Sequence, residues 1–237
     1  MIDYVELMGF GPRGWGLLLL QATLMTIAVS ATAFALGSAL GALLAWARIE
    51  GNRAVRLAAD AYTTVLRGIP DLLVIYLLYF GGSAALTAFA HALGAQGFVG
   101  VDAFAAGAIA VGMISGAYQG EIFRGAFLAI SRGELEAARS VGMPRSLMFR
   151  RIIVPQALRF AIPGLGNVWQ LALKESGLIS VVGLTEILRQ AQVGAGSTRQ
   201  PFAFFITAAA LYLLLSTISG WGFQRAEAIG MRGVRRS

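Results

Sequence analysis

The sequence contains no cysteine, one histidine and one lysine among its 237 residues. Without cysteine there is no disulfide framework, no thiolate metal site and no thiol nucleophile. Lys174, the single lysine, is followed by Glu175, so the phosphate loop G-x-x-x-x-G-K-S/T is absent. Neither H-E-x-x-H nor G-x-S-x-G occurs, and His91 is interpreted as a solvated loop residue. We therefore expect a protein that is not an enzyme and has no cofactor and no metal site.

Charge is also scarce. Charged residues make up 13% of the chain and hydrophobic residues 57%, which is typical of an integral membrane protein. The net charge of +7 would suit nucleic acid, but long uncharged runs separate the 19 basic residues and there is no basic arm, so no nucleic-acid partner is expected. Asp3 and Glu6 lie where a signal peptide would be positive, which argues against a cleavable targeting segment.

Long apolar runs predict an all-α, polytopic membrane protein with about five transmembrane helices. The spans are expected at 17–46, in the helix that passes Arg67 and Asp71 into the uncharged run 72–101, and at about 103–129, 160–182 and 200–224. We expect Gly81-Gly82 to end the second span and Pro163-Gly164 to break the fourth near its start. Residues 183–200 are expected to form a loop.

Arginine is distributed unevenly between the two sides of this arrangement. The connections on one side hold most of the arginines, and the other side has only Arg13, Arg189 and Arg199. Because cytoplasmic loops carry the excess of basic residues, the N-terminus is expected outside and the C-terminus inside. The chain then divides into an extracytoplasmic segment 1–16, a membrane domain 17–226 and a basic cytoplasmic tail 227–237.

Residues 131–155 form a basic segment that is too polar to span a membrane. Ser131 and Glu134 have the spacing of a capping box, which predicts the start of a helix. Gly142 and Pro144 predict the end of that helix and the start of another. The simplest alternative is an amphipathic helix that rests on lipid headgroups.

The spacing inside this segment resembles the EAA loop of permease subunits of bacterial ABC importers. Glu136-Ala137-Ala138, Gly142, Ile152 and Pro155 match the pattern E-A-A, three residues, G, nine residues, I, two residues, P. The resemblance implies a type I, MetI-like permease of the bacterial inner membrane. It also implies that Glu136, Ala137, Ala138 and Gly142 dock on an ATP-binding subunit. Further implied partners are a pair of ATP-binding subunits, a second, different but related permease chain, and an extracytoplasmic amino-acid-binding protein.

Four further stretches are similar to polar amino acid permeases of the histidine, lysine, arginine, ornithine and opine branch. They are residues 67–71 (RGIPD), 121–126 (EIFRGA), 174–180 (KESGLIS) and 195–202 (AGSTRQPF). The resemblance implies import of polar, basic amino acids or opines. Gly177 departs from the Lys-x-Thr/Ser-Ser/Ala-Leu form of the relatives.

Charged residues within the predicted spans are candidates for the substrate path, because charge inside a membrane is costly and usually functional. The proposed path residues are Asp71, Glu121, Lys174, Glu175 and Ser176. The acids would hold the ammonium group and a cationic side chain of the substrate. The alternative is that they form structural ion pairs, while Arg67 and Arg124 are interpreted as anchors that snorkel to the headgroups.

Glycines spaced by four residues, at 37 and 41 and at 112, 116 and 120, predict close helix packing. Two other functional classes stay open. One is a proton-coupled secondary amino acid transporter with Glu121 and Glu175 as proton relays, although the inverted repeats typical of such folds are not seen. The other is a non-transporting membrane scaffold. The sequence best fits the permease subunit of an ATP-driven, binding-protein-dependent importer.

Overall fold

The computed structural model describes residues 4–231, and every regular element in that part of the chain is a helix. The helices are α1 (Tyr4–Met8), α2 (Gly16–Glu50), α3 (Arg53–Gly68), α4 (Asp71–Tyr76), α5 (Gly82–Ala92), α6 (Ala103–Leu128), α7 (Arg132–Ser140), α8 (Arg145–Met148), α9 (Val154–Glu175), α10 (Ile187–Thr198) and α11 (Pro201–Gly230). Short π-helical stretches, Leu77–Gly81 and Phe149–Ile153, join α4 to α5 and α8 to α9, and a 3-10 helix, Ser176–Val182, extends α9. The all-α prediction is confirmed.

Three helical runs among the described residues are long and apolar enough to cross a membrane. They are Gly16–Glu50, Asp71–Ala92 and Pro201–Gly230, which correspond to the first, second and fifth predicted spans. The third and fourth predicted spans are α6 and α9, which pack against each other and against α2. With 26 residues, α6 is about 39 Å long, more than the hydrocarbon thickness of about 30 Å. The count of five spans stays a prediction.

The second span does not end at Gly81-Gly82, so that prediction was wrong. Both glycines have helical φ values, −66° and −60°, and the helix continues from Asp71 to Ala92 with one π-helical stretch inside it. An unbroken hydrogen-bonded backbone is favoured wherever lipid surrounds the chain. The break lies instead at Ile69, which is extended because it precedes Pro70.

His91 belongs to the last turn of α5 rather than to a loop, although it is exposed as expected. Its Nε2 lies 2.8 Å from the carbonyl oxygen of Gly97. This contact ties the end of the second span to the chain that leads into α6.

Two further predictions of irregular structure were wrong. Pro163 lies inside α9, which continues without a break. Gly164 packs against α6, where an added Cβ would lie 3.0 Å from the Ile122 side chain, so the proline-containing turn is supported by a neighbouring helix. Residues 183–200 contain α10 rather than only a loop. Gly194 lies within α10 against the ring of Phe204, and a Cβ at this glycine would come within 2.1 Å of that ring.

The glycine spacing predicted close packing, and this prediction is confirmed for α2 and α6. A Cβ at Gly37 would lie 2.7 Å from the Ser115 Oγ, and one at Gly41 would lie 2.9 Å from the backbone nitrogen of Gly120. The two backbones therefore meet with almost no side chain between them. The main apolar cluster forms beside this contact from residues of several helices, among them Val29, Ile75, Ile114 and Ile179.

Candidate functional site

The segment 131–155 folds as a short helix, a turn and a second helix, as the sequence predicts. α7 begins directly after Ser131, but the Ser131 side chain makes no capping hydrogen bond, and the Glu134 carboxylate accepts a hydrogen bond from Gln156 instead. The capping-box interaction was therefore predicted wrongly, although the start of the helix was predicted correctly. Helix α8 follows Pro144.

Gly142 closes α7 with a left-handed backbone, φ +74°. Its N–H donates to the carbonyl of Arg139, and the N–H of Met143 donates to the carbonyl of Ala138. These two bonds are those of a Schellman C-cap, which requires positive φ at the position of Gly142. The glycine thus sets the direction in which the chain leaves α7.

The coupling residues inferred from the resemblance do not all face the same way. Ala138 is buried in a small apolar cluster with Met148 and Ile153, which fixes α7 to the following helix. Glu136, Ala137 and Gly142 are exposed. A partner that docks on α7 would therefore contact Glu136, Ala137 and Gly142. The buried side chain of Ala138 instead packs α7 against the following helix.

Glu121 lies in a cluster of three arginines contributed by three helices. Its Oε1 is 2.6 Å from Nη1 of Arg48 and 3.7 Å from Nη1 of Arg67. Its Oε2 is 3.2 Å from Nη2 of Arg124. Both guanidinium groups thus reach Glu121, while the side chains of Arg67 and Arg124 stay 44% and 38% exposed, and their role as headgroup anchors stays a prediction.

This arginine cluster, Arg48, Asp60, Arg67, Glu121 and Arg124, borders a polar cavity. Nε of Arg48 is 2.6 Å from the Asp60 carboxylate, and the guanidinium of Arg67 lies 5.2 Å from the centre of the Tyr118 ring. The cavity has a volume of about 520 Å³ and is also lined by Thr63 and Thr64. Three positive and two negative groups leave the cluster with one excess positive charge, which suits a carboxylate.

Glu175 forms a second, different site at the end of α9. It is 5% exposed, and within residues 4–231 neither of its carboxylate oxygens has a hydrogen-bond partner. Asp71, the first residue of α4, is its acidic neighbour. Two facing carboxylates in an apolar region attract a cation or share a proton.

The other two path residues do not complete this acidic pair. The Lys174 side chain is exposed on the outside of α9, although Lys174 precedes Glu175 in sequence. The Ser176 hydroxyl donates to the carbonyl of Leu173 at 2.7 Å. Asp71 and Glu175 are therefore neighbours, Glu121 belongs to the arginine cluster, and Lys174 is exposed.

A metal site is not seen in the part of the chain that the structure describes. Within residues 4–231, no group of three or more histidine or acidic side chains could hold a metal ion.

Two buried polar networks were missed by the sequence reasoning. The Glu186 carboxylate is fully buried, accepts the backbone N–H of Leu188 and Arg189, and accepts the Tyr212 hydroxyl at 2.7 Å. Gln119 donates to Ser115 Oγ at 2.7 Å and to the carbonyl of Phe34, and accepts from Ser38 Oγ at 2.6 Å. Glu186 comes directly before an amphipathic run, and an acidic residue in that position is a signal for the start of a helix.

Sequence comparison identifies the family. Residues 37–227 match the family described as binding-protein-dependent transport system inner membrane component. The chain belongs to this family.

Relatives along the whole chain agree with that assignment. The octopine transport system permease protein of Rhizobium radiobacter is 57% identical over 235 residues, which cover 99% of both chains. The nopaline transport system permease protein of Agrobacterium fabrum is 47% identical over 232 residues, 98% of each chain. The histidine/lysine/arginine/ornithine transport system permease protein of Escherichia coli is 37% identical over 224 residues, 94% of this chain and 98% of that one.

Solved structures show the same fold. The crystal structure of an amino acid ABC transporter with histidines superposes with a TM-score of 0.79 at 29% identity, covering 96% of this chain and 99% of that chain. The inward-facing MetNI methionine ABC transporter superposes with a TM-score of 0.68 at 19% identity, covering 92% and 98%. This confirms the MetI-like architecture.

Family membership confirms the prediction of a permease subunit of a binding-protein-dependent importer, located in a bacterial inner membrane. A transport permease is not an enzyme. Importers of this family also contain ATP-binding subunits and a substrate-binding protein.

Proposed function

We propose that this permease subunit serves an ATP-driven importer of basic opines or basic amino acids, with octopine-like compounds as the first substrates to test. The identity of 57% to the octopine permease, against 37% to the histidine/lysine/arginine/ornithine permease, carries this proposal. Octopine is an arginine derivative with a guanidinium group and two carboxylates. Such a substrate needs both an acidic and a basic contact along its path.

The two charged sites supply contacts of both signs. The Asp71 and Glu175 carboxylates would meet the guanidinium or ammonium group, since Glu175 is buried and no hydrogen bond within residues 4–231 occupies its oxygens. Arg67, whose side chain is 44% exposed and borders the polar cavity, would meet a carboxylate. Lys174 and Ser176, which flank Glu175 in the sequence, remain proposed path residues.

Glu121 fits a positioning role better than a substrate contact. Both of its oxygens already accept from arginines, so a cationic substrate would have to displace Arg48 or Arg124. We therefore assign Glu121 to holding the guanidinium groups at the cavity wall, which was the alternative left open by the sequence.

The segment 131–155 would couple transport to ATP hydrolysis in a separate subunit. Glu136, Ala137 and Gly142 present a small exposed surface that suits a groove on an ATP-binding subunit, and the Ala138 anchor and the Gly142 turn hold that surface in one direction. In this proposal, a pair of ATP-binding subunits, a second related permease chain and an extracytoplasmic binding protein complete the transporter.

The proposed topology has five spans, the N-terminus outside and the C-terminus in the cytoplasm, with the bounds 1–16, 17–226 and 227–237. The bias of arginine toward one side supports it. Three arginines of the basic tail, Arg232, Arg235 and Arg236, lie outside the described residues.

The test is uptake by the complete transporter, purified with its partner subunits and reconstituted in proteoliposomes that contain ATP. We expect binding-protein-dependent uptake of radiolabelled octopine, competed by unlabelled arginine less well than by unlabelled octopine. Uptake that follows a proton gradient without ATP would support a secondary transporter. Absence of uptake of any opine or basic amino acid by an intact, ATP-hydrolysing complex would exclude the proposed substrates.

A further inference from the structure

A groove of about 1090 Å³ lies on the side of the bundle where α2 and α6 end. The segment 131–155 and the first turns of α9 close it. Its volume exceeds the upper range of typical small-molecule pockets, about 1000 Å³. Its walls carry large apolar side chains, chief among them Trp46, Phe123, Phe127, Phe149 and Leu158.

Two arginines lie between these apolar side chains. Arg139 and Arg145 lie on the two sides of the Gly142 turn, and both line the groove. Within residues 4–231, neither guanidinium forms a salt bridge with an acidic side chain. Glu50 also lines the groove but is not paired with them. The lining thus carries one excess positive charge and two guanidinium groups available to an anion.

The position of the groove along the bundle matches a membrane boundary. Trp46, 64% exposed on its wall, lies one turn before the end of α2 at Glu50. Exposed tryptophan is typical of the headgroup level of a bilayer. We therefore expect the apolar walls to lie near the acyl chains and Arg139 and Arg145 to lie near the phosphates.

We propose that this groove binds one anionic phospholipid, with its acyl chains against the aromatic walls and its headgroup phosphate between Arg139 and Arg145. Basic pockets between transmembrane helices on the cytoplasmic side bind headgroups of this kind. Because both arginines belong to the segment 131–155, the lipid would hold this segment against α2 and α6. The site is separate from the proposed substrate path. A phospholipid fits better than a second permease chain because its one molecule supplies both the apolar chains and the negative charge.

A photo-crosslinker identifies the occupant directly. Benzoylphenylalanine replaces Phe149, an exposed aromatic residue of the groove, in the complete transporter, which is reconstituted with phosphatidylcholine and a minor share of phosphatidylglycerol. We expect adducts enriched in phosphatidylglycerol relative to the bilayer. The same crosslinker at Phe205, an exposed residue of α11, should give adducts in bilayer proportion. An adduct to a protein subunit at Phe149, or equal proportions at both positions, would overturn the proposal.

A charge-matched pair of double variants tests the headgroup contact. Arg139→Gln with Arg145→Gln should lower the amount of phosphatidylglycerol retained in native mass spectrometry about fivefold per arginine. The control is Arg150→Gln with Arg151→Gln, which removes the same charge from exposed arginines of the same segment that do not line the groove, and it should keep the lipid. Equal losses in the two double variants would contradict a specific site.

A soluble competitor separates a lipid from a free anion. Inorganic phosphate added to the wild-type complex should leave retention of phosphatidylglycerol unchanged, because the acyl chains contribute most of the contact area. Displacement of the lipid by millimolar phosphate would reduce the site to an anion site and overturn the phospholipid proposal.

Discussion

Arg48 at the end of α2 donates a hydrogen bond to Glu121 of α6 across 2.6 Å, and the same guanidinium reaches Asp60 of α3. One arginine therefore joins three helices at the edge of the polar cavity. Charge-assisted bonds of this kind are about twice as strong as neutral hydrogen bonds. The role of Glu121 follows from this contact more than from its position in a span.

Glu121→Gln should destabilise the assembled permease. The change leaves the guanidinium groups of Arg48, Arg67 and Arg124 without their shared carboxylate, and loss of one partner of such a pair costs about 2 to 5 kcal/mol. Thermal unfolding of the purified complex measures the effect. Glu50→Gln, which removes an exposed carboxylate that has no salt bridge within residues 4–231, serves as the control. Normal stability with selective loss of basic-substrate uptake would instead assign Glu121 to the substrate.

Glu175→Gln should weaken uptake of a basic opine or amino acid. The amide keeps the shape of the side chain but removes the charge that would pair with a guanidinium, at a cost of about 2 to 5 kcal/mol. Asp71→Asn should act in the same direction. Initial uptake rates over a substrate series measure the effect, with Glu6→Gln, an exposed acid of α1, as the control. Unchanged uptake in both path variants would exclude the acidic pair from the path.

Gly142→Leu should lower uptake more than ATP hydrolysis. A leucine at φ +74° is strained by about 1 to 3 kcal/mol, so the chain would leave α7 in another direction. Gly142→Asn should retain more coupling, because asparagine tolerates the left-handed region better. The ratio of substrate imported to ATP hydrolysed is the readout, and Gly133→Ala, on α7 with space for a Cβ, is the control. An unchanged ratio in Gly142→Leu would remove the docking role.

Gly37→Ala should destabilise the protein, although alanine is the better helix former. Its Cβ would lie 2.7 Å from Ser115 Oγ and 2.9 Å from Gln119 Nε2, and overpacking of this kind costs about 1 to 3 kcal/mol. Gly81→Ala meets nothing within 4 Å and should be neutral or slightly stabilising. The unfolding temperatures of the two variants measure these effects. Equal unfolding temperatures would contradict the close contact of α2 and α6.

Single-cysteine labelling tests the topology, and the absence of natural cysteine makes each introduced thiol unique. Gln96→Cys should react with a membrane-impermeant maleimide added to intact spheroplasts. Arg150→Cys, near Arg145 but outside the proposed lipid groove, should react only after the membrane is opened. Both positions are exposed in the structure, so accessibility to the reagent depends on the side of the membrane. The reverse pattern would overturn the proposed orientation.

Local sequence information was sufficient for the helix, turn and second helix of the segment 131–155, because a glycine cap and a proline act within a few residues, but not for the Glu134 contact, whose partner Gln156 is 22 residues away. It was misleading inside the spans. Gly81-Gly82 and Pro163 normally interrupt helices in water, but lipid and neighbouring helices keep the backbone hydrogen-bonded. Of the partners of Glu121, Arg124 lies only three residues away on the same helix, but Arg48 could not be predicted, since it is 73 residues away and only the fold brings the two together. The burial of Glu186 likewise depends on Tyr212, 26 residues further along the chain.

The glycine contact between α2 and α6 also limits how the protein can move. Sliding of packed helices requires side chains that can repack as one surface shifts over the other. Gly37 and Gly41 leave backbone against Ser115 and Gly120, so a small sliding step would produce a collision. We therefore expect these two helices to move together as one rigid body during a transport cycle. We expect the chain to bend where the helical hydrogen bonds are interrupted. One such position is Ile69, which is extended and precedes Pro70.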